Sequence, residues 1–181
     1  MSSKNVSSTG GAVWKELGIY TLGITGGIGS GKSYIAQLLA SRGIPVYDTD
    51  SRAKQLYDRD AELKAAMMAL CGADIYPSGI LDRKALSSLI FTDRSLLERV
   101  NALVHPAVRR DFCLWRQSLA ASGERTCALE SALLLDAGLD AYVDGVLVVL
   151  ADDALRLELA MLRDGVTEEA VRGRMRHQMP Q

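Results

Sequence analysis

The chain is predicted to fold as an α/β protein: a parallel sheet flanked by helices, with a helical insertion between its second and third strands and a helical hairpin after its fourth. Three observations predict this. A glycine-rich loop, Gly26 to Ser33, joins a short apolar run to a helical pattern. From Asp50 to about Ser122 helical spacing continues with no convincing strand. Strand character then returns at Thr126–Glu130 and at Val143–Leu150. Strands separated by helical segments make a parallel sheet with crossover connections.

Taken in order, Ile19–Thr25 is apolar and β-branched, as a buried strand requires. The loop that follows reads Gly-Gly-Ile-Gly-Ser-Gly-Lys-Ser, with Gly26, four residues, then Gly31, Lys32 and Ser33. This is the phosphate-binding loop pattern in its required context, a strand before and a helix (Tyr34–Ala40) after. Backbone N–H groups and the positive end of that helix would converge on a phosphate. The glycines, Ile28 and Ser30 would form the cradle, Lys32 would bring a charge to the β- and γ-phosphates, and Ser33 would offer a hydroxyl to Mg²⁺. Nucleotide and metal are therefore expected together.

Ile44–Tyr47 reads as the second strand, after a stop at Gly43. Asp48-Thr49-Asp50 follows it, on the sheet edge that carries the phosphate loop. Two carboxylates there could orient an acceptor hydroxyl, take its proton or hold Mg²⁺ through water. They could equally cap the next helix, since Asp and Thr favour helix starts; position alone does not separate the two readings. Helical patterns then run over Ala53–Tyr57, Ala61–Leu70, Arg83–Phe91, Ser95–Val104 and Pro106–Leu119, with a turn-rich break at Gly72–Leu81. Pro106 suits the first turn of a new helix. His105 before it is, as a solitary histidine, more often structural than functional. Arg109 and Arg110 one turn later could meet an anion, although solvent is the usual place for such residues. An insertion of this length predicts a second lobe facing the loop, where substrates of open α/β sheets bind.

After the last core strand, Arg156, Arg163, Arg172, Arg174 and Arg176 lie on two helical stretches separated by Gly165. A charged surface is the ordinary reading of such a run. In a chain with a phosphate loop, an arginine-bearing hairpin over residues 152–178 reads instead as a lid that closes on nucleotide. Few tethers to the core are expected of it.

Bulk properties narrow the function. A chain of 181 residues accommodates one α/β domain with an insertion, and 48% hydrophobic residues support a full core. A net charge of −1 argues against nucleic-acid binding by bulk attraction. The apolar runs fall short of a membrane span. Residues 1–16 are Ser/Gly-rich and lack the apolar stretch of a secretory signal, so a disordered tail is expected. Cys71, Cys113 and Cys127 are scattered and odd in number, which suits a reducing, cytoplasmic setting. A GTPase-type switch is disfavoured: Asn5 and Asn101 are the only candidates for an Asn-Lys-x-Asp guanine motif, and neither precedes Lys.

Several stretches, in this order, resemble the dephospho-CoA kinases: Leu22–Ser33, Val46-Tyr-Asp-Thr-Asp50, Gly79–Leu86, Ile90-Phe91, Asn101-Ala-Leu-Val-His-Pro-Ala-Val108, Leu133–Leu139, Arg163-Asp-Gly165 and Arg174–Pro180. The resemblance covers about residues 20–180. It implies a P-loop kinase that phosphorylates the ribose 3′-hydroxyl of dephospho-CoA with ATP. It implies a nucleotide core of residues 17–50 and 123–151, a substrate lobe of residues 51–122 and a lid of residues 152–181, with Asp50, His105, Pro106 and Arg109 binding the substrate. Asp48 matches the first acid of the family's Asp-Ala-Asp motif, the base. Arg163 and Arg174 match lid arginines. This chain differs at Thr49, Ala132, Asp136, Leu150 and Leu159, the last standing where many relatives carry a further lid arginine. The alternatives are another P-loop kinase of small molecules or nucleotides, or a degenerate nucleotide-binding module.

Overall fold

The computed structural model describes residues 18–176, without the side chains of residues 163, 164, 174 and 176. The expected tail, residues 1–16, lies outside the described residues, as does the end of the expected lid beyond residue 176. Strands β1 (Tyr20–Thr25), β2 (Val46–Asp48), β3 (Thr126–Glu130) and β4 (Gly145–Val148) form one sheet in the order β2-β3-β1-β4, and every pairing is parallel. All four carboxyl ends therefore lie on one edge. Helices are α1 (Lys32–Ser41), α2 (Thr49–Arg59), α3 (Ala61–Cys71), α4 (Arg83–Thr92), α5 (Arg94–Ala121), α6 (Asp153–Asp164) and α7 (Glu168–Arg176). Short 3₁₀ turns occupy Ala73–Ile75 and Asp140–Tyr142.

The chain divides into two compact units: the described residues up to Asp48 and from Arg116 onward, and Thr49–Trp115. In the first, α1 lays Ala36 on fully buried Ile24 and Ala128, with Ile35, Leu39, Val46 and Val149 around them. Cys127 and Leu129 on β3 are also fully buried, as a strand covered on both faces requires, and so is Leu134 in the turns that follow it. In the second unit, Leu63, Met67, Ile75, Val100, Val104, Ala107 and Phe112 bury their side chains. Its helix starts are capped by aspartates: Asp60 accepts from the N–H of Leu63, Asp82 from those of Lys84 and Ala85, and Asp93 from that of Leu96. Arg52 clasps Asp111 through Nε and Nη2, both at 2.8 Å, tying α2 to α5.

One expectation is corrected. Pro106 does not begin a new helix: it lies inside α5, which runs unbroken for 28 residues. Proline forfeits one ladder hydrogen bond there. Burial of Val100, Val104, Ala107, Val108 and Phe112 along the same helix outweighs that loss. No helix among the described residues is long and apolar enough to cross a membrane.

Candidate active site

The loop from Gly26 to Gly31 links β1 to α1. Two of its glycines are required by close approach. A Cβ on Gly26, at φ 144°, would lie 2.2 Å from the Val149 carbonyl oxygen. A Cβ on Gly29, at φ 73°, would lie 2.0 Å from the carbonyl oxygen of Arg156. Ser30 is buried, its N–H donates to the Gly27 carbonyl, and its hydroxyl finds no hydrogen-bond partner among the described residues. Lys32 Nζ donates to the Gly27 carbonyl at 2.9 Å, so the ammonium is held against the loop. The first turn of α1 has N–H groups without intrahelical partners, the basis of anion binding at a helix start.

On one side of β1 the next two strands, β3 and then β2, end in carboxylates. In the parallel register Ile24 pairs with Glu130, and Glu130 pairs with Asp48. Ser33 Oγ donates to Glu130 Oε1 at 2.8 Å. Glu130 is nearly buried, at 9% exposure, so its charge faces little water and is steadied by this hydrogen bond. It is a site residue that reading the sequence missed. The available signal was its place, an acid closing an apolar strand just as Asp48 does. Ser33 and Glu130 together present hard oxygen donors of the kind Mg²⁺ takes, alongside nucleotide phosphates and water. No cluster of three or more His, Cys, Asp or Glu among the described residues forms a metal cage of its own.

A cavity of about 290 Å³ opens beside the loop, lined by Gly29, Gly31, Lys32, Ser33, Tyr34, Leu159 and Leu162. Its wall from α6 is aliphatic. Arg163 lies on α6 and Arg174 on α7, but their side chains are outside the described residues. Gly165, in the left-handed conformation, closes α6, and the Thr167 hydroxyl accepts from the Ala170 N–H at the start of α7.

The remaining candidates belong to the second unit. Asp50 is an exposed residue in the first turn of α2; His105, Pro106 and Arg109 are half-buried along α5. Arg110 is engaged by Asp60 and Glu62 at 3.3 and 3.5 Å, which gives it a structural partner in place of an anion.

A phosphate loop on the carboxyl edge of a parallel sheet, with Lys32 and Ser33 at its end and an acid closing each of the next two strands, defines a P-loop phosphotransferase. Comparison with known proteins narrows the class. The dephospho-CoA kinase family model matches residues 20–181, and the chain belongs to that family, the kinases of the final step of coenzyme A biosynthesis, which use an alcohol acceptor. A dephospho-CoA kinase of Porphyromonas gingivalis is 47% identical over 155 residues, 86% of this chain and 75% of the relative. A solved protein of Thermus thermophilus is 37% identical with a TM-score of 0.74, covering 90% of this chain and 81% of that one. The dephospho-CoA kinase structure from Campylobacter jejuni shares the fold at 22% identity and a TM-score of 0.57, covering 88% of this chain and 79% of that one.

Proposed function

We propose that the chain transfers the γ-phosphoryl group of ATP to the ribose 3′-hydroxyl of dephospho-CoA, giving coenzyme A and ADP. In this reading Gly26 to Ser33 bind the phosphates and Lys32 neutralises charge on the moving group. Asp48 accepts the proton of the attacking hydroxyl as the new P–O bond forms and the bond to the β-phosphate oxygen breaks. Ser33 and Glu130 would hold Mg²⁺, which when bound offsets phosphate charge. The aliphatic wall of Leu159 and Leu162, with Tyr34, would meet the base. Arg163 and Arg174 belong to a lid over residues 152–181. Asp50, together with His105, Pro106 and Arg109 of the helical lobe, residues 51–122, serves the acceptor. Three free cysteines fit a reducing, cytoplasmic compartment.

The observation that carries this reading is the pairing of Asp48 with Glu130 at the ends of β2 and β3, on the sheet edge that carries the loop. A base and a metal-side acid are thereby offered at one sheet edge, as phosphoryl transfer requires. A coupled assay of ADP release tests it. Dephospho-CoA should support turnover and nucleoside monophosphates should not; turnover with a monophosphate alone would transfer the reading to nucleotide kinases.

A further inference from the structure

Arg156 lies in the first turns of α6, on the stretch read as a loosely tethered lid, yet it is buried, at 5% exposure. A guanidinium leaves water only where hydrogen bonds replace its hydration. Here Nη1 pairs with Asp153 Oδ1 at 2.8 Å, and Nε donates to the carbonyl of Ile28 at 3.1 Å. Ile28 is part of the phosphate loop. The backbones also meet, since Gly29 leaves no room for a Cβ in front of the Arg156 carbonyl oxygen. The expectation of few tethers is thus corrected at this point: the start of α6 is docked on the loop by a side chain and by a backbone approach.

The consequence concerns one peptide plane. The Ile28–Gly29 peptide is trans, as all those described are, so its C=O and N–H point opposite ways. Holding the Ile28 carbonyl against α6 turns the Gly29 N–H away from α6. Were this plane to flip, a carbonyl dipole would replace an N–H in the loop, and an anion would meet repulsion where it needs a donor. We propose that Arg156 is a positioning residue for phosphate binding: it fixes the Ile28–Gly29 peptide in the orientation that accepts an anion. The inference rests on the reading above that this loop binds nucleotide phosphates.

Arg156→Gln and Arg156→Lys test it, with ATP and inorganic tripolyphosphate as probes in calorimetric titrations of the full chain. The wild type should bind both. Arg156→Gln should weaken both by about tenfold or more, because a misplaced loop donor is lost to either probe. KM for ATP should rise with it, while KM for the acceptor stays near wild type. Arg156→Lys retains the charge but not the Nε donor and should restore affinity only in part. It also decides the matter if Arg156→Gln fails to fold. A residue that merely stabilises the fold would lower the melting temperature and leave both affinities of the folded protein unchanged; that result overturns the inference, as does full affinity in Arg156→Lys. Failure of the wild type to bind either probe would instead remove the phosphate-loop reading, and the inference with it.

Discussion

Ser33 and Glu130, 97 residues apart in the chain, are joined by a 2.8 Å hydrogen bond between hydroxyl and carboxylate. The bond ties the first turn of α1 to the end of β3. It also holds a hydroxyl and a carboxylate together at the mouth of the phosphate loop. Glu130→Gln keeps the shape and an acceptor for Ser33 but removes the charge. The Mg²⁺ concentration for half-maximal turnover should rise at least about tenfold, the scale of lost metal-site support, with little change in melting temperature. An unchanged Mg²⁺ requirement would confine Glu130 to orienting Ser33.

Lys32→Ala should lose about 100-fold or more in turnover, the usual cost of removing one charge-stabilising donor. Its ammonium bonds the Gly27 carbonyl within the loop itself and sits half-buried at the end of that loop, away from the core, so circular dichroism and melting should stay near wild type. Near-normal turnover would remove Lys32 from the transfer step.

Asp48→Asn should lower kcat by about 10²- to 10⁴-fold, the range for general-base loss, and change nucleotide affinity far less. A fall in affinity with kcat preserved would make Asp48 a binding or metal-side residue. Pre-steady-state measurement of ADP formation separates the two.

Much of this site was legible because its signals are local. The loop announces itself by eight consecutive residues, and the strands by short apolar runs bounded by turns. The fold class follows from their alternation with helices. Pro106 misleads because its local preference, a helix start, yields to burial along the rest of α5. Glu130 offers only a weak sequence signal, an acid closing an apolar strand, because its meaning lies in register with Ile24 and Asp48 on strands far apart along the chain. Arg156 is silent for the same reason. In the chain it is one arginine of a charged run, and only packing against Ile28 and Gly29 separates it from the others.

Alkaline pH should weaken the helical unit. Burial pushes the Tyr76 phenol up to about 12 from 10, and the neighbouring Asp58, Tyr57 and Cys71 add to the shift. Burial also raises Tyr57, reinforced by Cys71 and opposed by Arg83. Between pH 10 and 12 the unfolded phenol has lost its proton while the folded one retains it. The unfolded state then binds fewer protons, so stability present below pH 10 declines as pH rises to about 12. Melting temperature should fall across that window, and Tyr76→Phe should flatten the fall. At neutral pH the same change should cost about 1 kcal/mol, the hydrogen bond from Tyr76 Oη to the Tyr57 carbonyl. An equally steep decline in Tyr76→Phe would assign the effect to other groups.

The amino edge of the sheet holds a second buried arginine with a different task. Arg116, 2% exposed, donates through Nη2 to the Ile19 carbonyl at 2.7 Å and through Nη1 to the Tyr142 carbonyl at 3.4 Å. Asp144 lies 3.7 Å from Nη2, and the same carboxylate oxygen accepts from the Thr21 N–H at 2.8 Å. The group joins the starts of β1 and β4 to α5. Loss of the arginine removes its hydrogen bonds to the Ile19 and Tyr142 carbonyls and takes the counter-charge from the Asp144 carboxylate. Arg116→Met should therefore destabilise by about 3 kcal/mol, the lower part of the range for breaking a buried pair, since Asp144 retains some contact with water. Asp144→Asn keeps an acceptor for Thr21 and should cost only about 1 kcal/mol. Neither residue is near the carboxyl edge where β1 meets the phosphate loop. At a temperature well below melting, KM for ATP should match wild type in both variants. Urea denaturation with parallel kinetics checks both halves. A stability loss below about 1 kcal/mol in Arg116→Met would refute the structural role. A selective rise in KM for ATP would mean that this end of the sheet communicates with the loop.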